Sequence, residues 1–369
     1  MDTTKRRIGL GLALLAITGA IVALEAPWRT GSQVPEEPDD LPEHLEDEPT
    51  AAGFGGAVTW LNTNGSIEIT EQRGEVVLVD FWTYSCINCI NTFPHLRAWH
   101  DAYADDGLVI VGVHTPEFRF ERDVDNVRGA LERYNLTYPV AIDNDYEIWD
   151  AYNNRYWPAK YLVDEHGKIR HTHFGEGAYD ETEDRIRTLL EEAGRAPDND
   201  PTYVNSTRGG VRSGQTPELF ASHLDGSKQP AIANEEGYEP GETITYAPVE
   251  DPQANRIFLE GTWNNTHEYV EAAGPNATVK VNFQAGGANF VANDLDGTCA
   301  RIHLDGAPIE ESLAGPDVVY RGGEPCIPLD DDRAYDFYSG PFERHLVTLE
   351  APEGFQLYSF AFSEEGRTR

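Results

Sequence analysis

The sequence predicts an α/β domain followed by an all-β sandwich, with an N-terminal hydrophobic segment ahead of both. Three observations carry this. Near-continuous apolar runs, VVLVDFW (76–82) and LVIVGVH (108–114), alternate with helix-like stretches as far as residue 195, the pattern of a sheet covered on both faces. After residue 236 the helical pattern stops, and short strand candidates follow, separated by Gly, Pro, Asn and Asp turns. At the N-terminus, Lys5, Arg6 and Arg7 precede an uncharged apolar run, IGLGLALLAITGAIVAL (8–24).

That run lies between a signal-peptide core and a minimal membrane span. Its basic flank favours an N-terminus kept inside and a chain carried outside. Leu24 and Glu25 interrupt any small-residue cleavage site, so residues 1–30 read as an uncleaved anchor, with a cleaved signal peptide as the alternative. Either reading places the cysteines where disulfides persist. Residues 31–52 include EEPDDLPEHLEDEP, which repels itself into an extended acidic linker.

Residues 53–195 form the α/β domain, with strands at 76–82, 108–114, 158–164 and 168–175 and helices at 87–105, 121–134 and 181–193. Residues 196–236 read as a polar linker holding a short helix around PELFASHL (217–224). Residues 237–369 form the β-domain, with strands at ETITYAP, NRIFLEGTW, ATVKVNFQA, ANFVAND, CARIHL, HLVTLEA and QLYSFAFS.

The charge balance narrows the function. With 64 acidic against 28 basic side chains and a net charge of -36, the surface repels phosphate backbones and excludes nucleic-acid binding. Acidity on this scale suits a halophilic protein, kept soluble in high salt where screening weakens self-repulsion. An ordinary acidic secreted protein is the alternative.

Cys86 and Cys89 follow the 76–82 strand and open a helix. Backbone N–H groups at a helix N-terminus stabilise a thiolate at Cys86, and Cys89 lies one turn inward, within reach for exchange. The pair reads as a redox-active disulfide in which Cys86 attacks and Cys89 resolves. A structural disulfide and a metal half-site are the alternatives, but zinc needs two more convergent ligands, and no metal set is expected.

Asp80, near the end of a buried strand, needs a partner or a task; burial raises its pKa and suits it to relay a proton with Cys89. Glu117, in HTPEF, is a second acid for the same site, with a simple salt bridge as the alternative. Pro158 opens a strand after Trp157, and a cis bond between them would present backbone beside Cys86. Trp82, Tyr84, Ile87, Asn88 and Trp157 are candidates for a substrate rim around the thiols, with a place in the core as the equal alternative for Trp82, Tyr84 and Trp157. Cys299 and Cys326 in the β-domain read most simply as a loop-closing structural disulfide, with two buried thiols as the alternative.

VDFWTYSCINC, then Pro94, VHTPEF and YWPAKYLVDEHGKIRHTHFGEG, resemble the thioredoxin-like fold in its exported TlpA-like branch, and above all the thioredoxin-like module of DipZ-type proteins. The resemblance implies that Asp80 is the family's buried acid, Cys86 and Cys89 its redox pair, Pro158 its cis-proline and Glu117 the acid TlpA-like proteins place near the cysteines. Ile87–Asn88 stands where common thioredoxin has Gly–Pro. GQTPELF, LEGTW, VKVNFQA and YSFAF resemble the β-domain that follows this module in DipZ-type chains, itself similar to carbohydrate-binding jelly rolls.

The expected activity is therefore that of an extracytoplasmic thiol–disulfide oxidoreductase tethered by residues 8–24, reducing disulfide-bearing proteins without a further cofactor. The alternatives are a disulfide-forming oxidant, a peroxide reductase, or a cell-surface glycan- or protein-binding module on a supporting thioredoxin fold. The paired cysteines speak against a peroxidase. DipZ-type proteins carry a multi-span CcdA-like electron-transfer domain; the only long apolar stretch here is 8–24, so the resemblance implies a separate CcdA-like membrane donor and a possible glycan ligand for the β-domain.

Overall fold

A computed structural model describes residues 45–204, 212–224 and 226–366. The anchor or signal segment expected at 8–24 lies outside the described residues, and no helix among those described is long and apolar enough to cross a membrane.

The first region is α/β. Its elements run β1 (Thr59–Leu61), β2 (Val76–Trp82), α1 (Ile87–Tyr103), β3 (Leu108–His114), α2 (Val124–Tyr134), β4 (Val140–Ile142), α3 (Glu147–Ala151), β5 (Ala159–Val163), β6 (Ile169–Phe174) and α4 (Tyr179–Glu192). The six strands order as β1-β4-β3-β2-β5-β6. β2, β3 and β4 are parallel, whereas β5 and β6 join antiparallel to β2 and to each other. Every residue of β2 is buried, because the strand is central and covered on both faces. α2 opens with Asp123 accepting from the Asp125 N–H and closes on Asn135 in the left-handed region, the ordinary stop signals for a helix.

Residues 45–52, the end of the stretch expected to be an extended linker, pack instead against this region. Leu45 and Ala51 are buried, and the Ile169 N–H donates to Pro49 O. Their apolar side chains outweigh the local charge.

The second region is β-rich. It comprises β7 (Leu219–Phe220), β8 (Thr243–Tyr246), β9 (Ile257–Asn265), β10 (Val270–Ala272), β11 (Ala277–Ala292), β12 (Thr298–Leu304), β13 (Ala307–Pro308), β14 (Val319–Arg321), β15 (Glu324–Leu329), β16 (Arg333–Ala351) and β17 (Gln356–Ser363). All ladders among these strands are antiparallel.

Two expectations are corrected here. Where a short helix is expected over 217–224, Leu219 and Phe220 form β7 and pair with β17; both side chains are buried, and a ladder satisfies their backbone. The separate strands expected at ATVKVNFQA and ANFVAND are one strand, β11, which shifts register against β16 between Ala285 and Gly287. The glycine pair falls at that shift, where a bulge redirects the strand.

The two regions share a core. Tyr358 on β17 packs edge-on against Phe118 (5.1 Å) and Phe120 (4.9 Å), which follow β3. Phe220, Leu224, Val291 and Ala334 belong to the same apolar cluster as Tyr84, Phe93 and Trp99. The β-region thus clamps the segment between β3 and α2, which in turn supports the cysteine loop.

Candidate active site

Strand β2 ends at Trp82, and the chain turns through Thr83–Ser85 before α1 begins. Cys86 is the N-cap of α1, and its sulfur accepts from the Cys89 N–H at 3.3 Å. The Cys89 thiol also donates to Cys86 Sγ at 2.6 Å. Cys86 is partly exposed, and Cys89 is fully buried behind it.

The expected support for a thiolate at Cys86 is present in the hydrogen bond from the Cys89 N–H, and burial opposes it. Burial pushes the Cys86 thiol up; the two hydrogen bonds from Cys89 oppose this, while Glu117 and Glu218 add to the rise. Burial likewise holds the Cys89 thiol well above its usual range, with Cys86 and Asp80 contributing.

Asp80 sits on β2, and its carboxyl is pushed up to about 7 by burial, with Lys160 pulling the other way. It acts electrostatically on Cys89 and does not line the cavity in front of the thiols. Lys160 occupies the facing position on β5, is completely buried, and is itself held below the usual lysine range by desolvation.

A second acid, Glu121, ties the cysteine loop to the segment after β3. One carboxylate oxygen accepts from the Ser85 N–H (3.2 Å) and Ser85 Oγ (2.6 Å); the other accepts from the N–H groups of Glu117 (2.6 Å) and Phe118 (2.8 Å). Burial nonetheless raises its carboxyl to about 7, against the pull of these donors.

In front of Cys86 opens a cavity of about 610 Å³. Ile87, Asn88, Glu117 and Trp157 line it on the side of the α/β region; Thr216, Glu218, Lys228 and Phe362 line it from the β-region. Lys228 Nζ lies 3.2 Å from Glu117 Oε1, bridging the two regions at the mouth of the thiol site. The Trp157–Pro158 bond is cis, and Trp157 Nε1 donates to Thr115 O at 3.0 Å.

The structure therefore gathers Cys86, Ile87, Asn88, Glu117 and Trp157 around one cavity, whose lining includes neither Asp80 nor Pro158. Trp82 and Tyr84 do not belong to that rim. Trp82 is buried against Phe93 and His114, and Tyr84 stacks on His114, so both are core side chains. Cys299 and Cys326 are joined by a disulfide between β12 and β15.

Sequence reasoning missed four site residues. Lys160 carried a signal, a cation inside the apolar strand PAKYLVD. Glu121, Glu218 and Lys228 carried none, since each gains its place through contacts distant in sequence.

Residues 57–172 match the AhpC/TSA family, and residues 216–363 match the thioredoxin like C-terminal domain. Over 285 residues, 74% of this chain, the sequence is 36% identical to Protein DipZ of Mycobacterium bovis, of whose length the chain spans 40%. Thiol-disulfide oxidoreductase YkuV of Bacillus subtilis is 31% identical over 138 residues, 37% of this chain and 91% of that protein. Thiol-disulfide oxidoreductase ResA of Halalkalibacterium halodurans is 35% identical over 112 residues, 30% of this chain and 60% of that protein. A solution structure of a thioredoxin-like protein in its oxidised form aligns with 37% of this chain and 90% of its own, at 31% identity and a TM-score of 0.34.

Proposed function

As the chain belongs to the thioredoxin-like family of thiol–disulfide oxidoreductases, we propose that it reduces protein disulfides outside the cytoplasm. The observation that carries this reading is the asymmetry of the pair: Cys86 faces the cavity, while Cys89 is sealed behind it with its thiol already on the Cys86 sulfur.

Cys86 thiolate attacks one sulfur of the substrate disulfide. That S–S bond breaks, a Cys86–substrate disulfide forms, and the leaving sulfur takes up a proton. Cys89 then gives its proton to Asp80 and attacks the Cys86 sulfur. The second substrate thiol departs, and two electrons have passed from the cysteine pair to the substrate. A dithiol donor restores the reduced pair; the sequence resemblance points to a CcdA-like membrane protein.

The reducing direction is supported by the raised Cys86 thiol. A strong oxidant of this chemistry is one whose reduced form is stabilised, commonly as a low-pKa thiolate, and burial beside Glu117 and Glu218 works against that. The extracytoplasmic placement is supported by the Cys299–Cys326 disulfide, which suits an oxidising compartment, and by the apolar run at 8–24 behind its basic flank. A glycan ligand for the β-region is a separate proposal, tested by binding of the full chain to a glycan array.

The test is a pair of variants and a potential. Cys86→Ser abolishes reduction of a protein disulfide, and Cys89→Ser accumulates mixed disulfides. The reduction potential of the pair lies nearer roughly -270 mV than roughly -120 mV. Normal turnover by both variants overturns the mechanism, and a potential near the upper figure reverses the direction.

A further inference from the structure

The β-region is not a remote appendage of the thiol site. Gln215–Glu218, Lys228 and the end of β17 stand directly across the cavity from Cys86. Two features hold that wall in place. Gln215 Nε2 donates to Phe362 O at 2.8 Å, joining its two strips of chain. Gly286 and Gly287 let the C-terminal segment press onto β11: a Cβ on Gly286 would fall 2.0 Å from Glu364 O, and one on Gly287 would fall 2.7 Å from Gly366 Cα.

We propose that this wall selects the substrate, and that its occupant is an extended, cationic polypeptide segment carrying the disulfide. The proposal rests on the reductase reading above. Two observations specify the occupant. A cavity of about 610 Å³ is on the scale that takes a drug-sized ligand, so it admits a few residues of chain and excludes a folded face, which needs roughly 800 Å² of flat contact.

The charges at the cavity are also unevenly satisfied. Glu117 is held by Lys228, and Glu176 by Asn91 and Tyr179. On the β-region wall, burial and the neighbouring Glu117 raise the Glu218 carboxyl to about 8 against the pull of Lys228, whereas Glu364 and Glu365 form no salt bridge and no side-chain hydrogen bond among the described residues. Lysine or arginine next to the substrate cysteine finds the Glu364 and Glu365 carboxylates there, beside a sulfur that the substrate must reach end-on.

The chain's overall acidity attracts cations everywhere, so the test separates the wall from the net charge. Pre-reduced full-length protein is mixed in single turnover with short disulfide peptides whose flanking residues are lysine or glutamate, at one fixed salt concentration. The lysine peptide reacts about tenfold faster, the scale expected of a few exposed charge pairs. Glu364→Gln/Glu365→Gln brings the ratio to near one, whereas Glu181→Gln/Glu191→Gln on the exposed face of α4 leaves it unchanged.

The neutral reagent 2,2′-dithiodipyridine reports Cys86 itself. Unchanged reaction of all variants with it shows that only selection has moved; no reaction of the wild type with it overturns the reductase reading instead. Equal rates for the two peptides, or equal loss of preference in the two double variants, overturn the proposal.

Discussion

Asp80 on β2 and Lys160 on β5 face one another in register across the central sheet, both completely buried, and neither Asp80 Oδ1 nor Lys160 Nζ makes a hydrogen bond. Two opposed ionisable groups in an apolar layer are costly unless each offsets the other. Each lowers the other's penalty, and both act on Cys89.

Removing one partner therefore strands the other. Asp80→Asn and Lys160→Met each destabilise the fold, and the double variant loses less than the sum, with a coupling of about 1–3 kcal/mol. A double-mutant cycle by urea denaturation at pH 8 measures it; simple additivity would show that the two charges do not interact.

Resolution by Cys89 needs a base, and Asp80 is one only when ionised. With its carboxyl at about 7, the rate of mixed-disulfide resolution rises with pH through about 7. In Asp80→Asn this inflection disappears and the rate at pH 8 falls by about 100-fold. Stopped-flow release of substrate thiol reads both.

Buried groups give stability two opposed pH slopes. Glu121, raised to about 7, holds a proton in the folded state that the unfolded chain releases above the ordinary glutamate value of 4.5. Its contribution is therefore present at low pH and lost as pH rises through about 7. His114, lowered to about 3 by burial, contributes above the ordinary histidine value of 6.5 and loses that contribution as pH falls toward about 3. Glu121→Gln flattens the alkaline slope and His114→Phe the acid one in denaturation series between pH 3 and 8. Glu121→Ala, which strands the Ser85, Glu117 and Phe118 donors, costs about 3 kcal/mol at low pH and less as pH rises through about 7.

The Cys299–Cys326 bond closes a loop with a sequence separation of 27 in the β-region. Replacing both cysteines by alanine costs about 3.5 kcal/mol by chain entropy and lowers Tm. It leaves the rate of thiol exchange at Cys86 unchanged, which separates the staple from the redox pair.

Gly286→Ala tests the link between the β-region and the thiol site. Its methyl group meets backbone rather than a movable side chain, so the 363–366 segment shifts outward at a cost of about 1–3 kcal/mol. The cavity widens, and reaction with 2,2′-dithiodipyridine persists while discrimination between disulfide peptides falls.

The local chemistry of this protein was written in its sequence. Alternating apolar runs specify the strands of the α/β region, and the cysteine spacing after β2 sets the helix start that places Cys86 ahead of Cys89. The change of periodicity after residue 236 marks the β-rich region, because side-chain period is a local property of the backbone.

Tertiary structure alone decided which charged side chains meet. Lys160 faces Asp80 through strand register, Glu121 reaches Ser85 across 36 residues, and Lys228 reaches Glu117 from the β-region. It also turned Trp82 and Tyr84 into core, and stood the β-region across from Cys86. The reason is physical: a side chain's secondary-structure preference is felt within a few neighbours, whereas burial and electrostatic partnership depend on which distant surfaces pack together.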